Sequence, residues 1–369
     1  MKILILSDAQ SIHTKRWVYS LSQKGFEIIL FSLKSVADNF YSEIGIKVYV
    51  YDLFTYNKSG GLFGRINSFL AHKKAAKYLK HIITQESPDI LHAHYATSYG
   101  FVAALSRFSP FIISVWGSDI YKFPLQSFIN KRAVKYILSK ADCITSTSNT
   151  MACEVSKYTS KTVEVVPFGV DTSLFEDTED IRDGRLVIGT VKTLSYNYGI
   201  DILINAYKMF VDRNPQVDSV LEIVGDGPDK EKLELQADFL GIGEKVIFRG
   251  HIDNRKLPQV YNSFDIAVFL SRMESFGVSA VEACSCGTAV IASDADGFKE
   301  VLDNGIYGII VPKESAEEAC KAMEVLAASP QRRMQLGKAA RENVITKYDW
   351  NKNVSQMISI YRSFHISKV

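Results

Sequence analysis

Two glutamates stand eight positions apart in Ser271-Arg272-Met273-Glu274-Ser275-Phe276-Gly277-Val278-Ser279-Ala280-Val281-Glu282-Ala283. The apolar run Ile266–Leu270 before them reads as a strand, and the stretch after Gly277 reads as the start of a helix. Glu274 then lies in the loop and Glu282 inside the helix. Gly277 lets the backbone approach a ligand closely. The first N–H groups of such a helix have no intrahelical partner and form an anion site that suits a diphosphate. A loop carboxylate there can accept hydrogen bonds from sugar hydroxyls, and one in the helix can reach a ribose diol. Spacing alone equally fits an ordinary strand–loop–helix with two solvated glutamates.

Other residues with chemical potential also follow apolar runs. Lys192 and Thr193 come directly after the strand-like Leu186–Val191. By position alone Lys192 fits a plain surface lysine. Gly225 and Gly227 lie in Val224-Gly225-Asp226-Gly227-Pro228, a turn after Val220–Val224. The run Phe111–Val115 ends in Trp116-Gly117-Ser118-Asp119, where Asp119 is either a ligand or the cap of the next helix. His92 and His94 are two apart at the end of Asp89–Ala93, which puts both imidazoles on one face of a strand. No third metal ligand accompanies them. His94 reads as a cleft residue beside a second substrate, His92 as a buried structural histidine. His13 and Arg16 follow the first strand and either contact substrate or lie on a solvated face. That turn lacks Gly-x-Gly-x-x-Gly, which argues against a nicotinamide enzyme. Asp294-Ala295-Asp296 reads as loop polarity, and no metal or other cofactor is expected.

These positions need elements to hold them. Apolar runs at Lys2–Leu6, Glu27–Phe31, Lys47–Tyr51, Asp89–Ala93, Phe111–Val115 and Cys143–Thr147 alternate with helical patterns such as Thr14–Lys24 and Arg65–Gln85. The rhythm restarts after Val163–Asp171 and the polar, acidic stretch Thr178–Gly184. New strands are expected at Leu186–Val191, Val220–Val224, Lys245–Arg249, Ile266–Leu270, Ala289–Ala292 and Gly308–Val311. Strand–helix alternation predicts α/β folding with doubly wound parallel sheets. A chain of 369 residues accommodates two such domains. Trp350–Phe364 reads as an amphipathic helix. No apolar run is long enough to span a bilayer, and the apolar start Met1–Leu6 is too short for a signal peptide. The five cysteines have no metal spacing; Cys284 and Cys286 read as buried free thiols suited to a reducing compartment.

The pair of glutamates resembles the glutamate-x7-glutamate signature of family 4 glycosyltransferases. Val224-Gly225-Asp226-Gly227-Pro228 resembles that family's Gly-Asp-Gly-Pro turn. Gly287-Thr288-Ala289-Val290-Ile291 resembles its Gly-x-Pro-Val-Ile segment, with Ala289 in the proline position. Gly297-Phe298-Lys299-Glu300 with Gly308 is similar to its later glycine/glutamate loop, and Val166–Asp171 to its interdomain segment. Two departures stand out. Tyr198 occupies the place of the family's second lysine, and Trp116 that of a histidine in His-Gly-x-Asp.

The resemblance implies the GT-B fold: two Rossmann-like domains facing across a cleft. It implies an N-terminal acceptor-binding domain over 1–168, completed by a crossover helix at 350–369, and a nucleotide-sugar donor domain over 172–349. It implies a retaining transfer from a nucleotide-diphosphate sugar to a glycan or lipid-linked acceptor, in bacterial envelope polysaccharide biosynthesis. Glu274, Lys192, Asp119 and His94 are then the residues expected at the reaction. Glu282, Ser275, Phe276, Gly277, Val278, Gly225, Gly227 and Thr193 are expected on the donor, and His13, Arg16 and Gly117 on the acceptor side. An epimerase or phosphorylase of the same fold, or a non-catalytic nucleotide-sugar-binding subunit, remains a rival.

Net charge is +2, but it is unevenly spread. Residues 1–175 hold 20 Lys/Arg and 12 Asp/Glu, and the remainder 23 and 29. The basic stretches are Lys73, Lys74, Lys77 and Lys80, and then Lys131, Arg132, Lys135 and Lys140. They are expected to meet an anionic membrane surface, or to be solvated helix faces. The expected location is cytoplasmic and peripheral on the inner face of the cell membrane. No nucleic-acid partner is expected.

Overall fold

Among the described residues, thirteen strands form two separate sheets, and every strand pair in both is parallel. The computed structural model describes residues 1–53, 61–178 and 184–366. The first sheet contains β1 (Lys2–Leu6), β2 (Glu27–Ser32), β3 (Lys47–Val50), β4 (Ile90–His94), β5 (Phe111–Val115), β6 (Cys143–Ser146) and β7 (Val163–Val165), in the order β3-β2-β1-β4-β5-β6-β7. All residues of β4 and β5 are buried. Helices cover both faces of a parallel sheet, so its strands are continuous apolar runs rather than alternating ones.

The second sheet contains β8 (Leu186–Val191), β9 (Ser219–Val224), β10 (Val246–Gly250), β11 (Ile266–Phe269), β12 (Ala289–Ser293) and β13 (Ile309–Val311), ordered β10-β9-β8-β11-β12-β13. Strand order reverses between β1 and β4 in one sheet, and between β8 and β11 in the other. Crossover helices diverge at such points and leave a crevice beyond the carboxyl ends of the strands. Lys192 follows β8, and the loop bearing Glu274 follows β11. The sheet therefore delivers both to one switch point.

Contacts divide the chain into one unit of Met1–Pro167 with Val354 onward, and a second unit of Phe168–Asn353. Each has its own apolar core, around Leu4, Phe31, Val102 and Ile113 in the first and Ile188, Phe210, Ile223 and Ile291 in the second. The last helix, Trp350–Ile366, docks on the first sheet through buried Val354, Met357, Ile358 and Tyr361. The Tyr361 hydroxyl lies 2.6 Å from His92 Nδ1.

Strand β7 differs from the expectation. It is three residues long, pairs with β6 at the sheet edge, and lies directly before the segment read as interdomain. So short a run has too little periodicity to stand out. Most of the polar stretch 178–184 and the side chain of Arg65 lie outside the described residues. Cys284 and Cys286 are buried free thiols, and burial pushes the Cys284 thiol up to about 12. No described helix is long and apolar enough to cross a membrane.

Candidate active site

The Lys192 ammonium and a Glu274 carboxylate oxygen are 2.7 Å apart, with side chains only 9% and 13% exposed. Three rings surround the ammonium: Tyr198 at 5.0 Å, Phe298 at 5.6 Å and Phe269 at 6.0 Å to the centroids. Aromatic faces favour a cation. Tyr198, in place of a second lysine, thus supplies a π face beside the Lys192 ammonium. Arg272, two residues before Glu274, is bound by Asp201 at 2.8 Å and Glu314 at 2.6 Å and stacks on Tyr196 at 3.8 Å. It braces the loop that carries Glu274.

Gly277 caps the helix Val278–Ser285 with φ of +98°. A Cβ there would lie 2.7 Å from the Phe298 ring and 3.7 Å from Glu274 Cγ. Helix start, carboxylate and cation therefore share one small neighbourhood. Phe276 is only 1% exposed, its ring packed against Phe168 and Tyr348, so its backbone rather than its side chain is available to a ligand. Ser275 and Val278 are half-buried beside it, and Thr193 is exposed one residue beyond Lys192.

Glu282 is buried, and one of its oxygens accepts a hydrogen bond from the Tyr261 hydroxyl at 2.9 Å. Burial, then the charge of Glu282, pushes the Tyr261 phenol well up. Tyr261 stays a donor and orients the carboxylate.

The Gly225-Asp226-Gly227 turn packs on the backbone that presents Lys192. Lys192 N–H donates to Val224 O and Leu194 N–H to Asp226 O, both at 2.9 Å. At Gly225, φ is +135° and a Cβ would lie 1.9 Å from Lys192 O. Gly225→Ala is therefore expected to cost about 3 kcal/mol of second-unit stability, through strain and overpacking. It is also expected to lower kcat/KM by moving Lys192. Urea unfolding alongside initial rates checks this; unchanged stability would show that the turn yields freely.

In the first unit a cavity of about 430 Å³ lies at the carboxyl ends of β1–β5. Leu33, Leu53, Tyr95, Tyr99 and Trp116 form its apolar wall; Ser7, Ser11, His94 and the ion-paired Asp8 and Lys34 form its polar part. His94 is buried, with Nδ1 3.1 Å from the Ser7 hydroxyl and its ring 4.6 Å from that of Trp116. Burial first, then His92 and His13, holds its imidazole well below the usual range and hence neutral. His13 packs edge-on to Trp116, with centroids 6.0 Å apart, and burial beside Arg16 lowers it to about 4. Arg16 is half-buried on the helix Ile12–Gln23. His92 does not reach the cavity wall. It bridges Tyr361 and, through Nε2 at 2.7 Å, Ser114.

Asp119 was expected at the reaction but is wholly buried. Its oxygens accept from the N–H groups of Ala96 and Gly117 at 2.8 Å and of Trp116 at 3.3 Å. The carboxylate ties the turn after β5 to the turn after β4 and so aims Trp116. Burial is the first cause of its raised pKa, opposed by these N–H groups. Asp294 accepts from Lys313 N–H and Asp296 pairs with Lys299, so both have partners near their own loop. No described cluster of three or more His, Cys, Asp or Glu residues could hold a metal.

Sequence reasoning did not assign Tyr261, Arg272, Phe298, Tyr99 or the Asp8–Lys34 pair. Arg272 and Phe298 stand inside the glutamate-pair and glycine/glutamate motifs, so proximity is an available signal. Tyr261 had none, because only the fold brings it to Glu282.

Two all-parallel Rossmann-like sheets in one chain form the GT-B architecture, and solved structures share it. Sucrose-phosphate synthase from Thermosynechococcus elongatus aligns over 100% of both chains with TM-score 0.83 and 21% identity. Anabaena Alr3699/HepE in complex with UDP-glucose aligns over 98% of this chain and 100% of that one, with TM-score 0.78 and 18% identity. The family model for glycosyl transferases group 1 matches residues 172–343, and that for glycosyl transferase 4-like matches residues 2–148. The phosphatidyl-myo-inositol mannosyltransferase of Mycolicibacterium smegmatis is 29% identical over 302 residues, 79% of this chain and 74% of that one. The chain belongs to the family 4 glycosyltransferases.

Proposed function

We propose that the second unit binds a nucleotide-diphosphate sugar and that the first unit binds a glycan or lipid-linked acceptor. The sugar is transferred with retention of anomeric configuration. The Lys192–Glu274 pair beside the start of the helix Val278–Ser285 carries this reading. A buried cation and unpaired helix N–H groups suit a diphosphate. When the diphosphate takes over Lys192, Glu274 is released to accept hydrogen bonds from the sugar. Glu282, oriented by Tyr261, holds the ribose diol. Support for the donor class comes from Anabaena HepE, whose structure contains UDP-glucose.

The bond between the anomeric carbon and the phosphate oxygen breaks with oxocarbenium character. The acceptor oxygen bonds to that carbon on the same face. Its proton passes to the leaving phosphate oxygen, so no protein base is required. Lys192 and the helix N–H groups stabilise the charge that develops there. In the first unit, Ser7, Ser11 and neutral His94 offer hydrogen bonds to acceptor hydroxyls, and the Trp116 and Tyr99 side supports an apolar or sugar face. Asp119 acts by positioning Trp116 and Gly117. The proposed setting is envelope polysaccharide assembly at the cytoplasmic face of the membrane. A relative named for transfer to a phosphatidylinositol supports it.

Titrating a panel of nucleotide sugars by calorimetry tests the reading, followed by mass spectrometry of products formed on membrane extracts. One donor is expected to saturate, and Glu282→Ala to weaken it by about 10–100-fold, the effect of losing a charged hydrogen bond. Saturable binding to none of them, or binding indifferent to Glu282→Ala, contradicts the assignment. No metal cofactor is part of the proposal, so chelation is expected to leave the rate unchanged. A rate lost to chelator and restored by magnesium or manganese would reverse that point.

A further inference from the structure

Three apolar side chains stand together in the open on the first unit. Leu125 is 75% exposed, Phe128 71% and Ile129 69%. They occupy the turn before the helix Phe128–Lys140 and its first turn. Lys122, Lys131, Arg132 and Lys135 around them are all exposed, and Arg132 lies 5.6 Å over the Phe128 ring. From Ile120 to Ala141 the chain has five Lys/Arg and no Asp or Glu. None of the five pairs with an acidic side chain among the described residues.

The inner end of this helix is anchored. Ile137 packs against Gly100, at the start of the helix Tyr99–Ser106. Phe128 lies roughly 13 Å along the helix axis from that anchor. On the other side, Phe101 of the same short helix stacks with Phe69 at 6.0 Å. Phe69 and Leu70 are 45% and 48% exposed, and Lys73 lies over the Phe69 ring. That region is also acid-free from Leu53 to Gln85.

We propose that the apolar tip Leu125–Phe128–Ile129, with its ring of cations, docks on an anionic lipid bilayer. Apolar side chains entering the headgroup boundary, with basic residues on phosphates, are what interfacial binding requires. A second copy of this chain fits poorly, because a symmetric contact through the patch would set its cations against themselves. Exposure alone is not the argument. Leu235 and Phe239, 63% and 90% exposed on the second unit, sit among Glu231, Glu234 and Asp238, which an anionic surface repels. The inference does not depend on the donor chemistry proposed above.

The test is co-sedimentation of the full chain with phosphatidylcholine vesicles, with and without phosphatidylglycerol. Wild type should partition onto the anionic vesicles and be released by salt. Phe128→Ser/Ile129→Ser and, separately, Lys131→Glu/Arg132→Glu should each lower partitioning about tenfold. Both variants should keep wild-type unfolding midpoints, since these side chains are exposed. Failure of wild type to bind, equal binding to neutral vesicles, or equal binding by both variants overturns the proposal. So does a dimer in light scattering that Phe128→Ser/Ile129→Ser abolishes, because the tip would then serve a second copy.

Discussion

Lys192→Ala is expected to lower kcat/KM by about 10²–10³-fold, the usual cost of deleting a preorganised group that faces developing charge. The Lys192 side chain is only 9% exposed and its ammonium sits among three rings, so water cannot easily replace it. Lys192→Arg should not restore the rate, because a planar guanidinium does not fit where a compact ammonium meets Glu274 and the Tyr198 face. Loss of the cation also leaves Glu274 in a mostly enclosed place without its partner, which lowers the stability of the unliganded second unit. Lys192→Ala/Glu274→Gln removes that stray charge and should recover the unfolding midpoint without recovering turnover. Initial rates and urea curves on the four proteins of this cycle separate the two effects. Activity of Lys192→Ala within about threefold of wild type would take the cation out of the transition state.

The second large effect is loss of first-unit stability in acid. His92 is buried, with a hydroxyl at each ring nitrogen, Tyr361 at 2.6 Å and Ser114 at 2.7 Å. Burial lowers it to about 3, and His94 is also held well below its ordinary value. The folded-state pKa values lie below the unfolded value of about 6.5. Between these limits the unfolded chain binds more protons, so stability is present above about pH 6.5 and is lost as pH falls. From pH 7 to pH 5 His92 alone should withdraw about 2 kcal/mol, and His94 acts in the same direction. Urea unfolding of the first unit across this range should show it, and His92→Gln should make the slope shallower by its own share. His13, lowered to about 4, acts in the same direction. A first-unit midpoint unchanged between pH 7 and pH 5 would mean that the buried histidines accept protons without cost. The link from Tyr361 through His92 to Ser114 and Thr145 joins the last helix to the sheet, so that helix should loosen first.

Much of the scaffold was legible because parallel strands buried on both faces announce themselves as apolar runs. Twelve of the thirteen described strands lie where such runs occur; β7, three residues at an edge, does not stand out. The glutamate pair was legible because a strand, a glycine turn and a helix start are local events. The partners of those residues were not legible. Lys192 and Glu274 are 82 positions apart, Tyr261 and Glu282 meet across two helices, and Asp119 spends its oxygens on N–H groups of another loop.

Local pattern therefore determined the α/β class, the two sheets, the glycine turns and the places where chemistry could sit. Spacing along a chain sets which residues follow a strand, and nothing more is needed for that. Only the tertiary structure decided which of them meet. It gave Lys192 a counterion and three rings, turned Asp119 into a brace, and set His94 against Trp116 in a cavity. These outcomes depend on strand order in the sheets, which brings β8 beside β11 and β1 beside β4. Strand order arises from packing the whole chain, so no window of sequence contains it.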